Sequence, residues 1–174
     1  MTPEDLVELL ARGVDHADDE GIDLLAHSLQ CAALLAERRP EDRELQIAGL
    51  VHDVGSILRP NEPERHAPTG AAAVAPLLGR RVAWLVSWHA DAKRYLVTTD
   101  PTYRARLSPR SLVTLEVQGG VMDDTGVAAL GAAPDLDALL ELRRADDDAK
   151  VVGRDVPGLD HWRLPLEDLR RAND

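Results

Sequence analysis

The stretch QIAGLVHDVGSIL, Gln46–Leu58, decides how the chain is interpreted, because the adjacent pair His52–Asp53 interrupts an otherwise apolar run. An ionisable pair on a buried helix is costly unless a partner or a metal satisfies it. Imidazole nitrogen and carboxylate oxygen both bind first-row transition metals, and one carboxylate can bridge two ions. The pair therefore favours a metal site, with a structural His–Asp hydrogen bond as the alternative.

The composition predicts a single helical domain. The chain has 174 residues, a length typical of one domain with a sizeable core. Phe is absent and aromatic residues make up only 3% of the sequence, so Leu, Ala and Val must fill the core. Such a core favours packed helices over a sheet.

Charge and cysteine content exclude several classes of protein. The formal net charge of -11 argues against general nucleic-acid binding and against an anionic membrane surface. The lone Cys31 cannot form an internal disulfide, which is typical of a reducing compartment. No stretch resembles a signal peptide or a membrane span, so we expect a cytoplasmic protein.

Helical periodicity, N-capping residues and Gly or Pro stops predict at least six helices. They begin at Thr2–Pro3, after Asp23, near Asp42 with a break near Gly55, after Thr69, at Arg80, at Ser108–Pro109 and near Asp135. A polar loop is expected over 59–64, and the tail 151–174 shows little periodicity. The sequence thus predicts an all-α fold in one compact domain, 1–174.

Further histidines and an acidic run could complete a metal site. His27 and His89 lie on apolar helix faces, whereas His66 follows the polar loop and Asp146–Asp148 ends the helix that begins near Asp135. Taken singly, the first two could be satisfied core histidines, His66 an exposed loop residue and the acids a solvated face. Their order, H…HD…H…H…D, resembles the ligand pattern of the HD-domain superfamily. The two histidines between the HD pair and the last Asp, here His66 and His89, are typical of its dinuclear members.

Five short sequence segments make this resemblance more specific. In chain order they are HSLQCA at His27, GLVHDVG around His52, HADAKRYL from His89, LSPRSLVTLEVQGG from Leu107 and LRRADDDAK from Leu142. They are similar to the HD-domain mixed-valence diiron oxygenases, phosphonate-cleaving enzymes related to myo-inositol oxygenase. The resemblance covers about His27–Lys150 and implies an HD-domain helical bundle with its metal-binding core at about 23–150.

Carried over by position, the resemblance implies an Fe(II)/Fe(III) pair with O2 as cosubstrate. One iron would be held by His27, His52, Asp53 and Asp146, and the other by Asp53, His66 and His89, with Asp53 bridging. Asp146 is chosen from the acidic run because the family's ligand precedes a Lys by four residues, here Lys150. No catalytic side chain is expected beyond the metal centre.

The resemblance also implies a small organophosphonate as the substrate. Lys93 lies one helical turn after His89, and Arg143 lies one turn before Asp146, so both cations face the metal centre. Two cations suit a doubly charged phosphonate, although each could instead be a surface charge. Ser111 and Gln118 match the family's other phosphonate-contacting positions.

Two positions depart from the family pattern. Ser56 stands where the family usually has a second His, and Ala17 stands where a Tyr caps the open iron. Water, His16 or Glu20 could occupy the capping position instead. The substrate can therefore differ from that of the phosphonate-cleaving enzymes.

We therefore expect a non-haem diiron oxygenase that cleaves the carbon–phosphorus bond of a small amino- or hydroxy-alkylphosphonate, or hydroxylates it. A metal-dependent HD-domain phosphohydrolase is the first alternative. A catalytically idle domain that retains the fold and the anion site is the second.

Overall fold

The computed structural model describes residues 1–17 and 21–173, which form nine α-helices and confirm the all-α prediction. In chain order these are α1 Pro3–Ala11, α2 Leu24–Arg38, α3 Arg43–Val51, α4 Val54–Leu58, α5 His66–Thr99, α6 Pro109–Val117, α7 Asp124–Gly131, α8 Leu136–Asp148 and α9 Leu159–Ala172. Helix α7 lies outside the helices that the sequence predicts. No helix in the described ranges combines the length and the apolar character needed to cross a bilayer.

Side-chain caps begin several helices where the sequence predicts them. Thr2 forms a capping box with Asp5 at the start of α1, and Asp23 accepts a hydrogen bond from the Ala26 N–H at the start of α2. Ser108 caps α6 in the same way. Each cap satisfies backbone N–H groups that have no partner within their own helix.

Helices α2, α3, α5 and α8 form the centre of the bundle, where α3 and α8 each pack on the other three. Each contributes a fully buried leucine, namely Leu35, Leu50, Leu85 and Leu142. Aliphatic packing thus supplies most of the core, as the absence of Phe predicts. The charged and imidazole side chains described below lie between these helices.

The break in the helix that carries the His–Asp pair positions the site. Helix α3 ends at Val51 and α4 begins at Val54, so the break lies at His52–Asp53, slightly before the expected position near Gly55. A Cβ at position 55 would lie 1.9 Å from the carbonyl oxygen of His66. Glycine therefore allows α4 to approach the start of α5 closely.

Helix α5 begins at His66 rather than after Thr69, so the predicted start is wrong. The first turn is not evident from the sequence because Pro68 suggests an interruption. Proline is tolerated there, since the first four N–H groups of a helix have no intrahelical partner. The helix is kinked at Gly79, which has a φ of 83° and lies between the two helices expected in this region.

The prediction of an aperiodic tail after Val151 is also wrong, because α9 packs against α1 and α5. Trp162 is 1% exposed and Leu166 is fully buried. Leu159, Trp162, Leu166 and Leu169 follow a helical period, which Pro165 inside the helix obscures in the sequence. The chain after Val151 is thus part of the bundle.

Candidate metal centre

Four buried histidines converge between α2, α4, α5 and α8. His27 comes from α2, His52 from the break after α3, and His66 and His89 from the start and the middle of α5. They are 0–6% exposed. Their rings pack edge to face with neighbouring centroids 4.9–5.1 Å apart.

Backbone carbonyls fix the orientation of all four imidazoles. Each Nδ1 lies within hydrogen-bonding distance of a carbonyl oxygen: Ala149 for His27 at 2.8 Å, Gly49 for His52 at 2.8 Å, Pro63 for His66 at 2.6 Å and Val86 for His89 at 2.7 Å. A carbonyl only accepts, so Nδ1 must donate and the neutral ring keeps its lone pair on Nε2. The same pattern orients metal-binding histidines generally.

The four Nε2 atoms face one another in two pairs. His27 and His52 bring theirs to 3.2 Å, and His66 and His89 bring theirs to 3.0 Å. Two unprotonated nitrogens cannot hydrogen-bond to each other, so each pair needs a proton or a metal cation between its lone pairs. This donor set fits two transition-metal ions.

Asp53 lies between the two histidine pairs. Its Oδ2 is 3.9 Å from the His27 Nε2 and 3.5 Å from the His52 Nε2. Its Oδ1 is 3.5 Å from the His66 Nε2 and 3.6 Å from the His89 Nε2. Each carboxylate oxygen thus faces a different pair, and each group of one oxygen and two nitrogens is compact enough to hold an ion.

Asp146 adds a carboxylate to the first pair only. Its Oδ1 is 3.2 Å from the His27 Nε2 and 3.8 Å from the His52 Nε2. Its two neighbours point elsewhere, Asp147 towards Arg143 and Asp148 towards Arg38. The structure therefore brings together all six predicted metal-ligating residues, and of the acidic run it brings only Asp146 to the histidines.

Burial and mutual charge shape the electrostatics of the cluster. Burial lowers the pKa of His52 to about 4, so this imidazole stays neutral near pH 7. Burial disfavours the Asp53 carboxylate, but the neighbouring His52, His89 and His66 outweigh it and hold the pKa of Asp53 well below its usual range. Neutral imidazoles and ionised carboxylates are the forms that bind metals.

A cavity of about 540 Å³ opens beside the cluster. The four predicted substrate-binding residues all line it, namely Lys93, Ser111, Gln118 and Arg143. The Oε1 of Gln118 and the Nε of Arg143 are buried and have no hydrogen-bond partner within the described part of the chain. Such atoms are expected where a ligand completes the hydrogen bonding.

Two buried cations lie on the cavity wall. Lys93 is 2% exposed and Arg143 is 4% exposed. Burial, followed by the repulsion of Arg143, lowers the pKa of Lys93 to about 7. An anion bound near both cations would reduce this repulsion.

Two cavity residues beyond the predicted set also contact these groups. Thr114 accepts a hydrogen bond from the Lys93 Nζ at 2.7 Å. Lys150 donates to the Ser111 Oγ at 3.0 Å. The spacing of Ser111, Thr114 and Gln118 along α6 is the signal that could have identified Thr114, because residues three and four apart share a helix face.

The positions that depart from the expected family pattern also line the cavity. Ala17 and Ser56 contribute small side chains there, and His16 lines the cavity too. Ala17 is held near the site by an isolated antiparallel bridge to Asp23. Glu20, the other candidate for the capping position, lies outside the described residues.

Comparison with known proteins is consistent with this arrangement. Residues 24–146 match the model of the HD domain. The chain is 35% identical over 158 residues to hydroxymethylphosphonate dioxygenase of Gimesia maris, covering 86% of this chain and 78% of that protein. It is 30% identical to [1-hydroxy-2-(trimethylamino)ethyl]phosphonate dioxygenase (glycine-betaine-forming) of Leisingera caerulea, covering 88% and 81%. An uncharacterized protein of Acanthamoeba polyphaga mimivirus is 29% identical, with coverage of 82% and 70%.

Proposed function

Since the chain belongs to the HD-domain family, we propose that it is an O2-dependent non-haem diiron oxygenase acting on a small hydroxy- or amino-alkylphosphonate. Its similarity to two phosphonate dioxygenases confirms the oxygenase branch predicted from the sequence. The proposed reaction is oxidative cleavage of the carbon–phosphorus bond or hydroxylation of the substrate carbon.

The arrangement of Asp53 is the observation that best supports a two-metal centre. One oxygen of this carboxylate faces the His27–His52 pair, and the other faces the His66–His89 pair. In the proposed site His27, His52, Asp53 and Asp146 would hold one iron, and Asp53, His66 and His89 would hold the other. Bound iron would supply the redox chemistry and O2 activation that side chains lack.

The protein's own contribution is to hold the phosphonate. Lys93 and Arg143 neutralise its charge, and their charge-assisted hydrogen bonds are stronger than those between neutral groups. Ser111 and Gln118, which line the same cavity, add neutral hydrogen bonds, and Thr114 holds the Nζ of Lys93. Because His27, His66 and His89 line the same cavity, a phosphonate held at the two cations would lie beside the histidine cluster.

The size of the cavity is compatible with a small substrate. Its volume of about 540 Å³ lies within the usual range for ligand pockets. Small side chains, those of Ala17 and Ser56, line part of it. A cavity of this volume can hold hydroxy- or amino-alkylphosphonates with a longer chain than hydroxymethylphosphonate.

The proposal can be tested by metal analysis combined with electron paramagnetic resonance. Protein loaded anaerobically with iron should hold about two irons per chain and give a mixed-valence signal after partial oxidation. Titration with hydroxymethylphosphonate should alter that signal, whereas inorganic sulfate at equal ionic strength should not. A protein that holds one manganese or nickel ion and hydrolyses phosphate esters without O2 would support the phosphohydrolase alternative.

A further inference from the structure

Tyr103 is a buried tyrosine that does not line the cavity. It lies between α5 and α6, is 3% exposed and packs with Leu96 and Leu107 in a small satellite cluster. Its hydroxyl nevertheless leaves that apolar environment to donate a hydrogen bond to the Oδ2 of Asp147. A buried hydroxyl needs a hydrogen-bond partner, and any polar atom could fill that role. The identity of the partner, Asp147, therefore points to a role for this contact beyond satisfying the hydroxyl.

Asp147 connects this tyrosine to the cavity. Its second oxygen, Oδ1, pairs with the Nη2 of Arg143 one turn earlier on α8. The other end of the same guanidinium, Nη1, lies 2.5 Å from the Oδ2 of Asp146. Arg143 is therefore held at both terminal nitrogens, by a carboxylate of the metal cluster on one side and by Asp147 on the other.

The two carboxylates are not equally fixed. The side chain of Asp146 is 9% exposed and also faces the histidines, whereas that of Asp147 is 18% exposed. Without the hydroxyl of Tyr103, one oxygen of Asp147 loses its protein partner and the side chain can turn towards water. A long Arg side chain with a partner at one end only has more accessible rotamers, and restricting them costs entropy when a ligand binds.

We propose that Tyr103 is a positioning residue that acts through Asp147 to hold the guanidinium of Arg143 in the orientation required for binding the phosphonate. The inference rests on the proposed function, because it assumes that Arg143 contacts the substrate. Tyr103 itself does not line the cavity, and its hydroxyl gives Asp147 a second partner that comes from outside α8.

The test is Tyr103→Phe, which keeps the packed ring and removes only the hydroxyl. In iron-loaded protein we expect the KM for hydroxymethylphosphonate to rise about two- to tenfold, the range for one net hydrogen bond, with kcat and iron content nearly unchanged. Tyr95→Phe removes the hydroxyl of the chain's other tyrosine and should leave all three quantities unchanged.

A second measurement follows Arg143 directly. In full-length protein loaded with diamagnetic zinc, the guanidinium Nη–H resonances of Arg143 should be resolved by NMR, because both ends are held. They should broaden or merge in Tyr103→Phe and also in Asp147→Asn. Arg143→Lys identifies these resonances by their loss.

The outcomes separate the inference from the proposed function. If the parent protein binds and oxidises hydroxymethylphosphonate but Tyr103→Phe matches it in KM and in the guanidinium spectrum, the positioning role is wrong. A raised KM with an unchanged guanidinium spectrum would also overturn the route through Asp147. If the parent protein neither binds nor oxidises phosphonates while the spectrum still responds to Tyr103→Phe, the proposed substrate fails and the structural link remains.

Discussion

Replacing Asp53 with alanine tests whether this residue bridges the two halves of the proposed metal centre. Each carboxylate oxygen lies 3.5–3.9 Å from the two Nε2 atoms of one histidine pair. Asp53→Ala therefore removes one donor from both sites at once. It leaves His27, His52 and Asp146 for one ion, but only His66 and His89 for the other.

The expected magnitude follows from these remaining donors. Losing a hydrogen-bond partner that only orients a ligand typically lowers metal affinity by about 10–100-fold, so losing a direct ligand should cost more. We expect the site with two remaining histidines to lose its ion after desalting, and the three-donor site to weaken by at least about a hundredfold. The assay is inductively coupled plasma mass spectrometry of iron per chain after anaerobic reconstitution.

Two control variants make this measurement specific. Ser56→Ala alters the same cavity without removing a predicted donor, so it should retain the iron content of the parent protein. His66→Ala removes a donor from one site only and should retain one ion. Full iron loading of Asp53→Ala, or identical losses in Asp53→Ala and His66→Ala, would refute the bridging role.

Two further predictions concern the cavity and the helix packing that supports it. The pKa of Lys93 is lowered to about 7, so in the free protein this amine is largely neutral at pH 9, and binding a dianion should require it to take up a proton. Phosphonate affinity, measured by calorimetry, should therefore fall from pH 7 to pH 9 in the parent protein. It should fall less in Lys93→Arg, whose side chain stays charged. An equal fall in affinity in both proteins would contradict this. Gly55→Ala places a Cβ 1.9 Å from the His66 carbonyl oxygen, whereas Gly70→Ala meets nothing closer than 3.2 Å. Gly55→Ala should lower the free energy of unfolding by about 2–4 kcal/mol in urea melts and weaken iron binding at His66. Gly70→Ala should lower the free energy of unfolding by less. A larger loss in Gly70→Ala than in Gly55→Ala would show that α4 and the start of α5 are not tightly packed at Gly55.

The candidate site could largely be predicted from the sequence because its six residues occur in an order that resembles the ligand pattern of the HD-domain superfamily. The pattern of His27, His52–Asp53, His66, His89 and Asp146 is carried by residue types and by apolar helix periods, both of which are visible in the sequence. The structure brings all six side chains together. The choice of Asp146 depended on the spacing to Lys150, which neighbouring aspartates do not share.

The partners of those residues could not be predicted in the same way. The contact between Tyr103 and Asp147 joins positions 44 residues apart, and nothing local in the sequence couples them. Helix α9 was missed because Pro165 conceals its apolar period, and the first turn of α5 because Pro68 suggests a boundary. In each case tertiary packing determined the structure, although the local sequence signals predicted a different one.

Oxygen uptake is the measurement that shows whether the protein oxidises phosphonates. Iron-loaded protein is placed in an oxygen electrode with hydroxymethylphosphonate, with amino- and hydroxy-alkylphosphonates of longer chain, or with phosphate monoesters, and consumed substrate is measured in parallel. We expect O2 uptake that rises in proportion to phosphonate consumed, is absent with phosphate monoesters and is lost in Asp53→Ala. Hydrolysis of phosphate monoesters without O2 uptake, together with no oxidation of any phosphonate, would contradict this expectation.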